Sequence, residues 1–192
     1  MWCGWRAYGC MTLVAVWVVV AAAGPARPDP QAEPGNQLTI YVHKRSHEMR
    51  LQDGEQVLRR FDVQLGTNPN GTKLVRGDNR TPEGRYYVCA KRPQSKFRRF
   101  LGISYPNVDD ADRALAQQLI DANLWADIFF AHVRNQTPPW STVMGGWVGI
   151  HGYGGRKPVP FDWTKGCIAV SDADIDYLYD RVPLGTPVVI SD

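Results

Sequence analysis

Residues 38–65 alternate apolar side chains with mostly polar ones at a period of two. Apolar residues occupy every second position over 38–42 and 61–65, and Asp53-Gly54 separates two further extended runs. Successive side chains of a strand point to opposite faces, so the alternation predicts strands with one buried face. An Asp-Gly pair is a preferred hairpin turn. We therefore expect an antiparallel meander, which restricts the fold to classes built around a sheet.

The spacing of apolar residues becomes helical in the second half of the chain. It predicts a helical hairpin over about residues 109–134, with Asp121 as the N-cap of the second helix. Ser171 and Asp174 form a capping-box pattern before a third helix, and "TPVVI" at 186–190 predicts a final strand. The chain is thus predicted to be mostly β with a few helices, an α+β fold.

The first 30 residues are organised like a secretory signal peptide. Arg6 precedes an apolar run over 11–23, which ends in an A-x-A cleavage pattern at Ala23. This run is shorter than the roughly 20 residues that a helix needs to cross a bilayer core. We expect a signal peptide over 1–23, cleaved near Ala23 or at Ala26. An uncleaved anchor is the alternative.

Residues 24–36 are rich in proline, glycine and charge and lack periodicity, which predicts a flexible linker before a single domain at 37–191. Arg6 is the only charged residue of the signal peptide, so its removal lowers the formal net charge from +3 to +2. This balance favours neither nucleic-acid-binding nor membrane-surface proteins. We expect an exported monomer of the periplasm or cell envelope, since no coiled-coil pattern indicates an oligomer.

The exported chain would carry two cysteines, Cys89 and Cys167. An oxidising compartment would allow a disulfide between them, but a domain of this size can be stable without one bridge. Cys89 lies in the predicted strand "RYYVCAK" and is interpreted as a small buried residue. Cys167 precedes a short apolar run, so it could be a nucleophile, half of a disulfide or part of the core.

His151 makes a catalytic pair with Cys167 possible. It ends the predicted strand "WVGIH", and the glycine-rich loop that follows can bring Cys167 beside it. Imidazole can take the thiol proton, or stabilise the thiolate as an ion pair, and later protonate a leaving amine. The positive charge of Lys165 is expected to lower the pKa of the thiol. The N–H groups of Lys165, Gly166 and Cys167 could line an oxyanion hole, and a structural cysteine is the alternative.

No residue pattern predicts a metal or a cofactor. His43 and His47 flank a predicted turn without a C-x-x-C or H-E-x-x-H pattern and are interpreted as surface residues, and His132 as a helix-face residue with its own hydrogen bond. For Asp78, in a turn-rich segment, a turn-stabilising role is favoured over an orienting role in the site. Four aromatic residues could either wall a cleft or pack in the core. These are Trp140, Trp147, Tyr153 and Trp163.

Two segments are similar to a known enzyme family. "GGWVGIHGYGG" at 145–155 and "DWTKGCIAVSDADIDYLYDRVPLGTPVVI" at 162–190 resemble the YkuD-type L,D-transpeptidase catalytic domain, whose signature is an H-G dipeptide and a later S-H-G-C-I-R segment. Earlier segments such as "GDNRTPEGRYYV" are also similar, so the resemblance extends over about 37–191. It implies the L,D-transpeptidase fold, a β-sandwich or mixed sheet with a helical hairpin insertion.

By position, the resemblance implies that Cys167 is the nucleophile, His151 the general base and the Gly152 carbonyl the group that orients the imidazole. The amides near Gly166 and Cys167 match the family's oxyanion hole. Such enzymes attack the diamino acid carbonyl of a peptidoglycan tetrapeptide stem, release D-alanine and form a thioester. A second stem resolves it as a 3-3 crosslink, and an anchored protein, a D-amino acid or water can replace that acceptor. An L,D-carboxypeptidase and a catalytically inactive wall-binding domain are the alternatives.

Two departures from the signature matter for substrate binding. Lys165 stands where the family usually has histidine, and Ala169 stands where it usually has arginine. The missing arginine removes a cation that could bind a substrate carboxylate, and Lys165 or Arg156 could replace it. Tyr153 and Trp163 are further candidates for substrate binding. We expect Lys165 and Ala169 to mark where the substrate preference of this chain is set.

Overall fold

A computed structural model describes residues 1–2 and 37–192 of the chain. The signal peptide predicted beyond Trp2, its cleavage site near Ala23 and the predicted linker 24–36 lie outside the described residues. No helix in the described segments combines the length and the apolar character that crossing a membrane requires.

The described residues form eight strands and three helices. In chain order these are β1 (Leu38–His43), β2 (Glu48–Asp53), β3 (Gln56–Asp62), β4 (Gly84–Ser95), β5 (Arg98–Ile103), α1 (Val108–Ala116), α2 (Ala122–Val133), β6 (Gly149–His151), β7 (Ile168–Ala169), α3 (Asp172–Arg181) and β8 (Pro187–Ser191). The strands make one mixed sheet in the order β3-β2-β1-β8-β4-β5-β6-β7. The predicted fold class, the helical hairpin and the final strand are confirmed.

The N-terminal meander is confirmed as well. Strands β1, β2 and β3 pair antiparallel, with Ile40 opposite Leu51 and Met49 opposite Phe61. All four of these side chains are buried, so the sheet buries the face that the period of two predicted. Gly54 in the β2–β3 turn has a φ of 55°, a left-handed conformation that glycine adopts without steric cost.

Beyond β3 the chain keeps its alternation but changes its neighbour. Val63 and Leu65 are buried like the residues before them. Gln64, however, forms an antiparallel bridge with Ala169 in β7, and Gly66 forms a parallel bridge with Thr164. This extended segment therefore leaves the meander and supports the loop that precedes Cys167.

The long strand β4 joins the two parts of the sheet. Residues 84–87 pair with β8, and the residues from Val88 onward pair with β5. Strand β6 lies antiparallel to β5, and β7 lies parallel to β6 at the edge. The strand that ends at His151 is thereby placed next to the strand that begins just after Cys167.

Helix α3 anchors the segment that follows β7. Its residues Ile175 and Leu178 are fully buried in the main core, and burial of a side chain of this size contributes about 1.5–3 kcal/mol. Ser171 caps the helix by accepting a hydrogen bond from the Asp174 N–H at 3.1 Å. The carboxylate of Asp174 contacts the Ser171 hydroxyl and Arg59, so the predicted capping box has only its Ser171 half.

The helical hairpin has its own small apolar cluster. Ala111 and Ala114 of α1 meet Ile128 of α2 there. Asp121 caps α2 as predicted, since its carboxylate accepts from the Leu124 N–H at 2.9 Å. Met144, from the segment after α2, completes this cluster.

A reciprocal capping box that the sequence pattern did not reveal begins α1. Asn107 accepts from the Asp110 N–H at 2.8 Å, and Asp110 accepts from the Asn107 N–H at 3.0 Å. Asp110 also accepts from the Tyr86 hydroxyl at 2.9 Å and contacts Arg113. Burial raises the pKa of Asp110 from 3.8 to about 6, although these hydrogen bonds from Asn107, Tyr86 and Arg113 and the charge of Arg113 oppose the rise.

Candidate active site

His151 lies at the end of β6, opposite Phe100 of β5 and beside Ala169 of β7. Its carbonyl oxygen accepts from the Val170 N–H at 2.9 Å. The residue is only 3 % exposed, so its imidazole meets solvent only through the neighbouring cleft. Strand pairing on both sides therefore fixes the backbone that carries the ring.

The imidazole of His151 is held in one orientation. Its Nδ1 lies 2.7 Å from the carbonyl oxygen of Gly152. A carbonyl oxygen can only accept, so Nδ1 carries the proton and Nε2 keeps a free lone pair. Phe97 stacks on the ring with centroids 4.6 Å apart, and Trp163 meets it edge-on at 5.7 Å.

The environment of His151 keeps the ring neutral. Burial lowers the pKa of the imidazole below its usual 6.5. The hydrogen bond to Gly152 opposes this change in pKa, and the positive charge of Arg156 adds to it. At neutral pH the ring is therefore a base that can accept a proton at Nε2.

Gly152 lies in a space that only glycine fits. A Cβ at this position would lie 2.4 Å from Asp172 Oδ1 and 2.8 Å from Ile175 Cγ2. The Asp172 carboxylate is itself fixed, because it accepts from the Gly154 N–H at 2.8 Å and from the Gly155 N–H at 2.7 Å. The carbonyl that binds His151 is thus packed against the start of α3.

Cys167 ends a tight loop before β7. The Thr164 hydroxyl accepts from the Gly166 N–H at 3.1 Å and donates to the Cys167 carbonyl at 2.7 Å. Gly166 has a φ of 124°, and a Cβ there would lie 2.5 Å from the Arg80 carbonyl oxygen. Among the described residues, the N–H groups of Lys165 and Cys167 have no acceptor. Of the three predicted oxyanion-hole amides, that of Gly166 is thus already engaged by Thr164.

The Cys167 thiol is held away from ionisation. Its Sγ lies 3.5 Å from the Trp147 carbonyl oxygen, a weak S–H hydrogen bond. Burial raises the pKa of the thiol above 9.0, and the Gly149 backbone and the charge of Lys73 only partly offset this rise. The expectation that Lys165 lowers this pKa is not met, because the Lys165 side chain is exposed at the surface.

Two clefts meet at Cys167, and both are lined by Cys167 and Trp147. The first, of about 350 Å³, is named here the His151 cleft and is also lined by Arg92, Lys96, Phe97 and His151. The second, of about 450 Å³, is named the Lys73 cleft and is also lined by Lys73, Arg76, Trp140 and Lys165. The structure thus brings Cys167 and His151 into one cleft, although the thiol hydrogen bond is to Trp147.

The predicted substrate-binding residues separate into two places. Lys165 lines the Lys73 cleft beside Cys167. Tyr153, Arg156 and Trp163 line a different depression of about 160 Å³. The Arg156 guanidinium stacks on the Trp163 ring at 5.6 Å and on the Phe97 ring at 5.2 Å, and Arg156 lines neither of the clefts that contain Cys167.

Position 169 holds a small buried side chain in this chain. Ala169 is fully buried in β7, and its N–H donates to the Gln64 carbonyl at 2.8 Å. Of the two predicted replacements for the missing arginine, Lys165 lines a cleft together with Cys167 and Arg156 does not.

Asp78 stabilises its turn as predicted, and it also fixes a lysine of the site. Its carboxylate accepts from the N–H groups of Leu74, Val75 and Arg80 at 2.7, 3.1 and 3.1 Å, and from Lys73 Nζ at 2.7 Å. Burial alone would raise the pKa of Asp78, but these four hydrogen bonds outweigh it and lower that pKa.

Sequence reasoning did not identify Lys73 or Phe97 as site residues. A lysine five positions before Asp78 in a turn-rich segment indicates a loop ion pair, but nothing in the spacing reveals that it faces Cys167. Trp140 and Trp147 do wall a cleft, which was one of the two roles predicted for the aromatic residues.

Both described cysteines are free thiols, which contradicts the disulfide alternative. Cys89 is partly buried in β4, and its Sγ lies 3.5 Å from the Gly102 carbonyl oxygen. Burial raises the pKa of the Cys89 thiol to about 11. Cys89 therefore lies in the predicted strand but is only partly buried, whereas the strand pattern predicted a buried residue.

The remaining histidines have ordinary neighbours. His132 Nε2 lies 2.9 Å from the Pro106 carbonyl, as predicted for a helix-face residue. His47 is exposed near Asp162, whereas His43 is partly buried beside Ser191 rather than at the surface. Within the segments that the structure describes, no group of three His, Cys, Asp or Glu residues is arranged to hold a metal ion.

Comparison with solved structures shows a related fold. The helical cell shape determining protein Pgp2 from Campylobacter jejuni is 22 % identical with a TM-score of 0.55, over 81 % of this chain and 47 % of its own. Bd1075 from Bdellovibrio bacteriovorus is 21 % identical with a TM-score of 0.52, over 81 % of this chain and 48 % of its own. An L,D-transpeptidase from Xylanimonas cellulosilytica is 17 % identical with a TM-score of 0.48, over 86 % and 65 % of the two chains. The chain therefore spans about half to two thirds of the length of these structures.

Comparison with protein families covers nearly the whole described domain. No curated protein matches the chain significantly. The family model of the YkuD L,D-transpeptidase catalytic domain matches residues 37–190, a span that includes His151, Cys167 and every strand that positions them. This chain belongs to the YkuD L,D-transpeptidase catalytic domain family.

Proposed function

We propose that this chain is a cysteine L,D-transpeptidase acting on peptidoglycan tetrapeptide stems, the substrates of its family. One observation carries the proposal. A buried imidazole, oriented by the Gly152 carbonyl at 2.7 Å, shares a cleft with the Cys167 thiol. A thiol nucleophile, a base and a group that orients the base are the parts that acyl transfer through a thioester requires.

In the first step, Cys167 attacks the carbonyl carbon of the diamino acid. The thiol proton moves to His151 Nε2, the C–S bond forms, and the carbonyl π electrons move onto oxygen. Burial raises the pKa of the thiol and lowers that of the imidazole, so the resting pair is neutral. Proton transfer therefore accompanies the attack, in preference to the ion pair that was the other possibility.

The tetrahedral oxyanion needs donors that are not already engaged. The N–H groups of Cys167 and Lys165 fit this role, because Thr164 already accepts from the Gly166 N–H. His151 then returns its proton to the D-alanine nitrogen as the C–N bond breaks. The products of this half-reaction are D-alanine and a thioester on Cys167.

The second half-reaction reverses these movements with a different amine. The amine of a second stem attacks the thioester, its proton passes to His151, and the C–S bond breaks. The thiolate then recovers a proton from His151, which leaves a 3-3 crosslink. An anchored protein or a D-amino acid can follow the same route, and water would make the enzyme an L,D-carboxypeptidase.

The proposed location follows from the sequence. A signal peptide over residues 1–23 would export the chain to the periplasm or cell envelope, where peptidoglycan lies. Pgp2, one of the structures with a similar fold, is named a helical cell shape determining protein. A contribution to cell shape is the corresponding proposal for this chain.

The test is to incubate the purified protein with tetrapeptide muropeptides and to follow the products by mass spectrometry. We expect loss of D-alanine and formation of crosslinked dimers. The Cys167→Ala and His151→Ala variants should abolish both, and Cys89→Ala, a matched thiol removal elsewhere in the sheet, should retain both. Activity in Cys167→Ala would contradict the mechanism.

The same assay separates the alternatives. Release of D-alanine without dimers identifies a carboxypeptidase. A folded protein that binds muropeptides, releases no D-alanine and resists an acylating carbapenem identifies an inactive wall-binding domain, and would overturn the proposal.

A further inference from the structure

The Lys73 cleft concentrates uncompensated positive charge beside the nucleophile. Its charged lining residues are Lys73, Arg76 and Lys165, all of them cations. Asp78 neutralises Lys73, whereas in the described part of the chain no ion pair involves Arg76 or Lys165. Three cations against one carboxylate leave a net charge of about +2 in a cavity that opens onto Cys167.

Lys73 is built into the wall of this cleft. It is 4 % exposed, and its stem packs against two glycines, with Cε 3.6 Å from the place of a Gly145 Cβ and Cδ 3.8 Å from that of Gly166. Gly166 immediately precedes Cys167, so the ammonium lies next to the nucleophile loop. Nζ donates to Asp78 at 2.7 Å and to the Val75 carbonyl at 3.1 Å. An ammonium has three donors, so one remains for a ligand.

The turn itself does not require a lysine. Asp78 already accepts from three backbone N–H groups. A buried ion pair adds little net stability, because desolvation of the charges offsets most of their attraction. Lys73 is therefore better explained as a group that binds an anionic ligand in the cleft than as a support for the turn.

The proposed reaction determines which part of the substrate enters this cleft. The leaving nitrogen and the attacking nitrogen both exchange a proton with His151, so both occupy the His151 cleft. The carbonyl oxygen faces the N–H groups of Cys167 and Lys165. The remaining substituent of the carbonyl carbon is the acyl donor, which must leave in the other direction, past Trp147 into the Lys73 cleft.

We propose that Lys73, Arg76 and Lys165 bind a carboxylate of the acyl donor, and that they select stems carrying this carboxylate. This inference rests on the proposed function. Two groups on the acyl side have the required chemistry: the free carboxylate of the glutamyl residue and, where the third residue is diaminopimelate, the carboxylate on its side chain. Charge-assisted hydrogen bonds from lysine and arginine to carboxylate are the strongest contacts that such a cleft can offer.

The test compares three donor tetrapeptides: one unmodified, one amidated at the glutamyl carboxylate, and one amidated at the side chain of the diamino acid. D-alanine release gives kcat and KM for the wild type, Lys73→Gln, Arg76→Gln and Arg85→Gln. Arg85 is an exposed arginine that lines neither cleft, so it is the matched control. Arg76 is exposed, so its variant is expected to fold even if Lys73→Gln does not.

We expect the wild type to favour the unmodified donor over one of the amidated donors by about tenfold to a hundredfold, mainly through KM. The amidated donor that loses affinity identifies the carboxylate. In Lys73→Gln and Arg76→Gln this preference should fall toward unity, and Arg85→Gln should keep it. Equal losses on all three donors would show that the cations are structural and would overturn the inference.

A failure of the proposed function is distinguishable from a failure of this inference. A wild type that releases D-alanine from none of the donors contradicts the proposed function. Calorimetric binding of the same donors to Cys167→Ala then tests the cleft alone. An affinity that does not change when either carboxylate is amidated would overturn the carboxylate site.

Discussion

Gly152→Ala tests how the fold holds the His151 imidazole. The new Cβ would lie 2.4 Å from Asp172 Oδ1 and 2.8 Å from Ile175 Cγ2. Neither neighbour moves freely, because Ile175 is fully buried and the Asp172 carboxylate accepts two backbone hydrogen bonds. The backbone at residue 152 must therefore shift, and with it the carbonyl that accepts from His151 Nδ1 at 2.7 Å.

The expected cost follows from these contacts. Overpacking by one methyl group costs about 1–3 kcal/mol. A displaced Asp172 carboxylate would also weaken its bonds to Gly154 and Gly155, and hydrogen bonds to a charged group are worth about 1.5–3 kcal/mol each. Relaxation shares the strain between these groups, so we expect a loss of about 2–4 kcal/mol in the free energy of unfolding. A domain stable by about 5–15 kcal/mol survives such a loss.

The variant should lose activity beyond its loss of stability. A shift of about 1 Å in a positioning group can cost about a hundredfold in rate, so D-alanine release by the folded variant should fall by about that factor. Urea unfolding measures the free energy, and the release assay measures kcat under conditions where the variant is folded. Stability within about 0.5 kcal/mol of the wild type, together with an unchanged kcat, would refute the packing argument.

A double variant isolates the contribution of Asp172. In the Asp172→Ala background the closest contact of the new Cβ is gone, so Gly152→Ala should cost less there than in the wild type. Residues in direct contact commonly show coupling energies of about 0.5–3 kcal/mol. An equal cost in both backgrounds would mean that Asp172 is not the group that requires glycine at this position.

Three further predictions use the pKa directions and the backbone geometry. Burial lowers the pKa of His151, so the acid limb of the kcat/KM profile for D-alanine release should lie below pH 6.5. Arg156→Gln removes a positive charge that also lowers this pKa, so it should move the limb to higher pH. A limb above pH 6.5 in the wild type would contradict a neutral buried base. The pKa of Asp110 is raised from 3.8 to about 6 in the folded state, so the folded protein binds this proton more tightly than the unfolded chain. The resulting contribution to the free energy of unfolding is fully present below pH 3.8 and is lost as the pH rises to about 6. Urea titrations should show a loss of about 3 kcal/mol over this window, from about two pKa units at about 1.4 kcal/mol each, and Asp110→Asn should remove that loss. Gly166 has a φ of 124°, and a Cβ there would have no room beside the Arg80 carbonyl. Gly166→Ala should therefore lower the free energy of unfolding in urea by at least about 2 kcal/mol. A smaller loss would contradict the need for glycine at this position.

Much of the fold was predictable because its signals are local. The period of two and the Asp-Gly turn determine β1, β2 and β3, which together span the 25 residues 38–62, and each strand pairs with its neighbour in sequence. The cap of α2 at Asp121 is likewise a contact over three residues. Contacts of this range depend on side-chain type and spacing, which the sequence displays directly.

The prediction was incomplete where an element depends on a distant partner. Val63 and Leu65 continue the alternation of β3, yet Gln64 between them pairs with Ala169. Nothing in the alternation changes at this point, because a strand buries the same face whichever strand lies beside it. The pairing of the segment after β3 with β7, next to the loop that carries Cys167, was therefore not predictable from the pattern.

The candidate site divides in the same way. His151, Gly152 and Cys167 are identified by residue type, order and the resemblance of their segments to a family. The structure brings His151 and Cys167 into one cleft, and the Gly152 carbonyl accepts from the His151 ring behind it. The charge beside the sulfur was assigned to Lys165, the nearest basic residue in sequence, but the charge that acts on it is that of Lys73. Electrostatic effects depend on distance through space and on burial, and neither follows from proximity along the chain.

The sequence by itself determined which residue types are present, which segments become strands and helices, and which thiol and imidazole could react. The tertiary structure decided how these groups are tuned. Burial makes the resting pair of Cys167 and His151 neutral, and Thr164 removes the Gly166 amide from the set of free donors. It also placed the cations of the Lys73 cleft beside Cys167. The reason is physical: secondary structure follows from short-range steric and hydrophobic periodicity, whereas pKa, hydrogen-bond competition and cleft charge arise only when distant segments exclude water around one another.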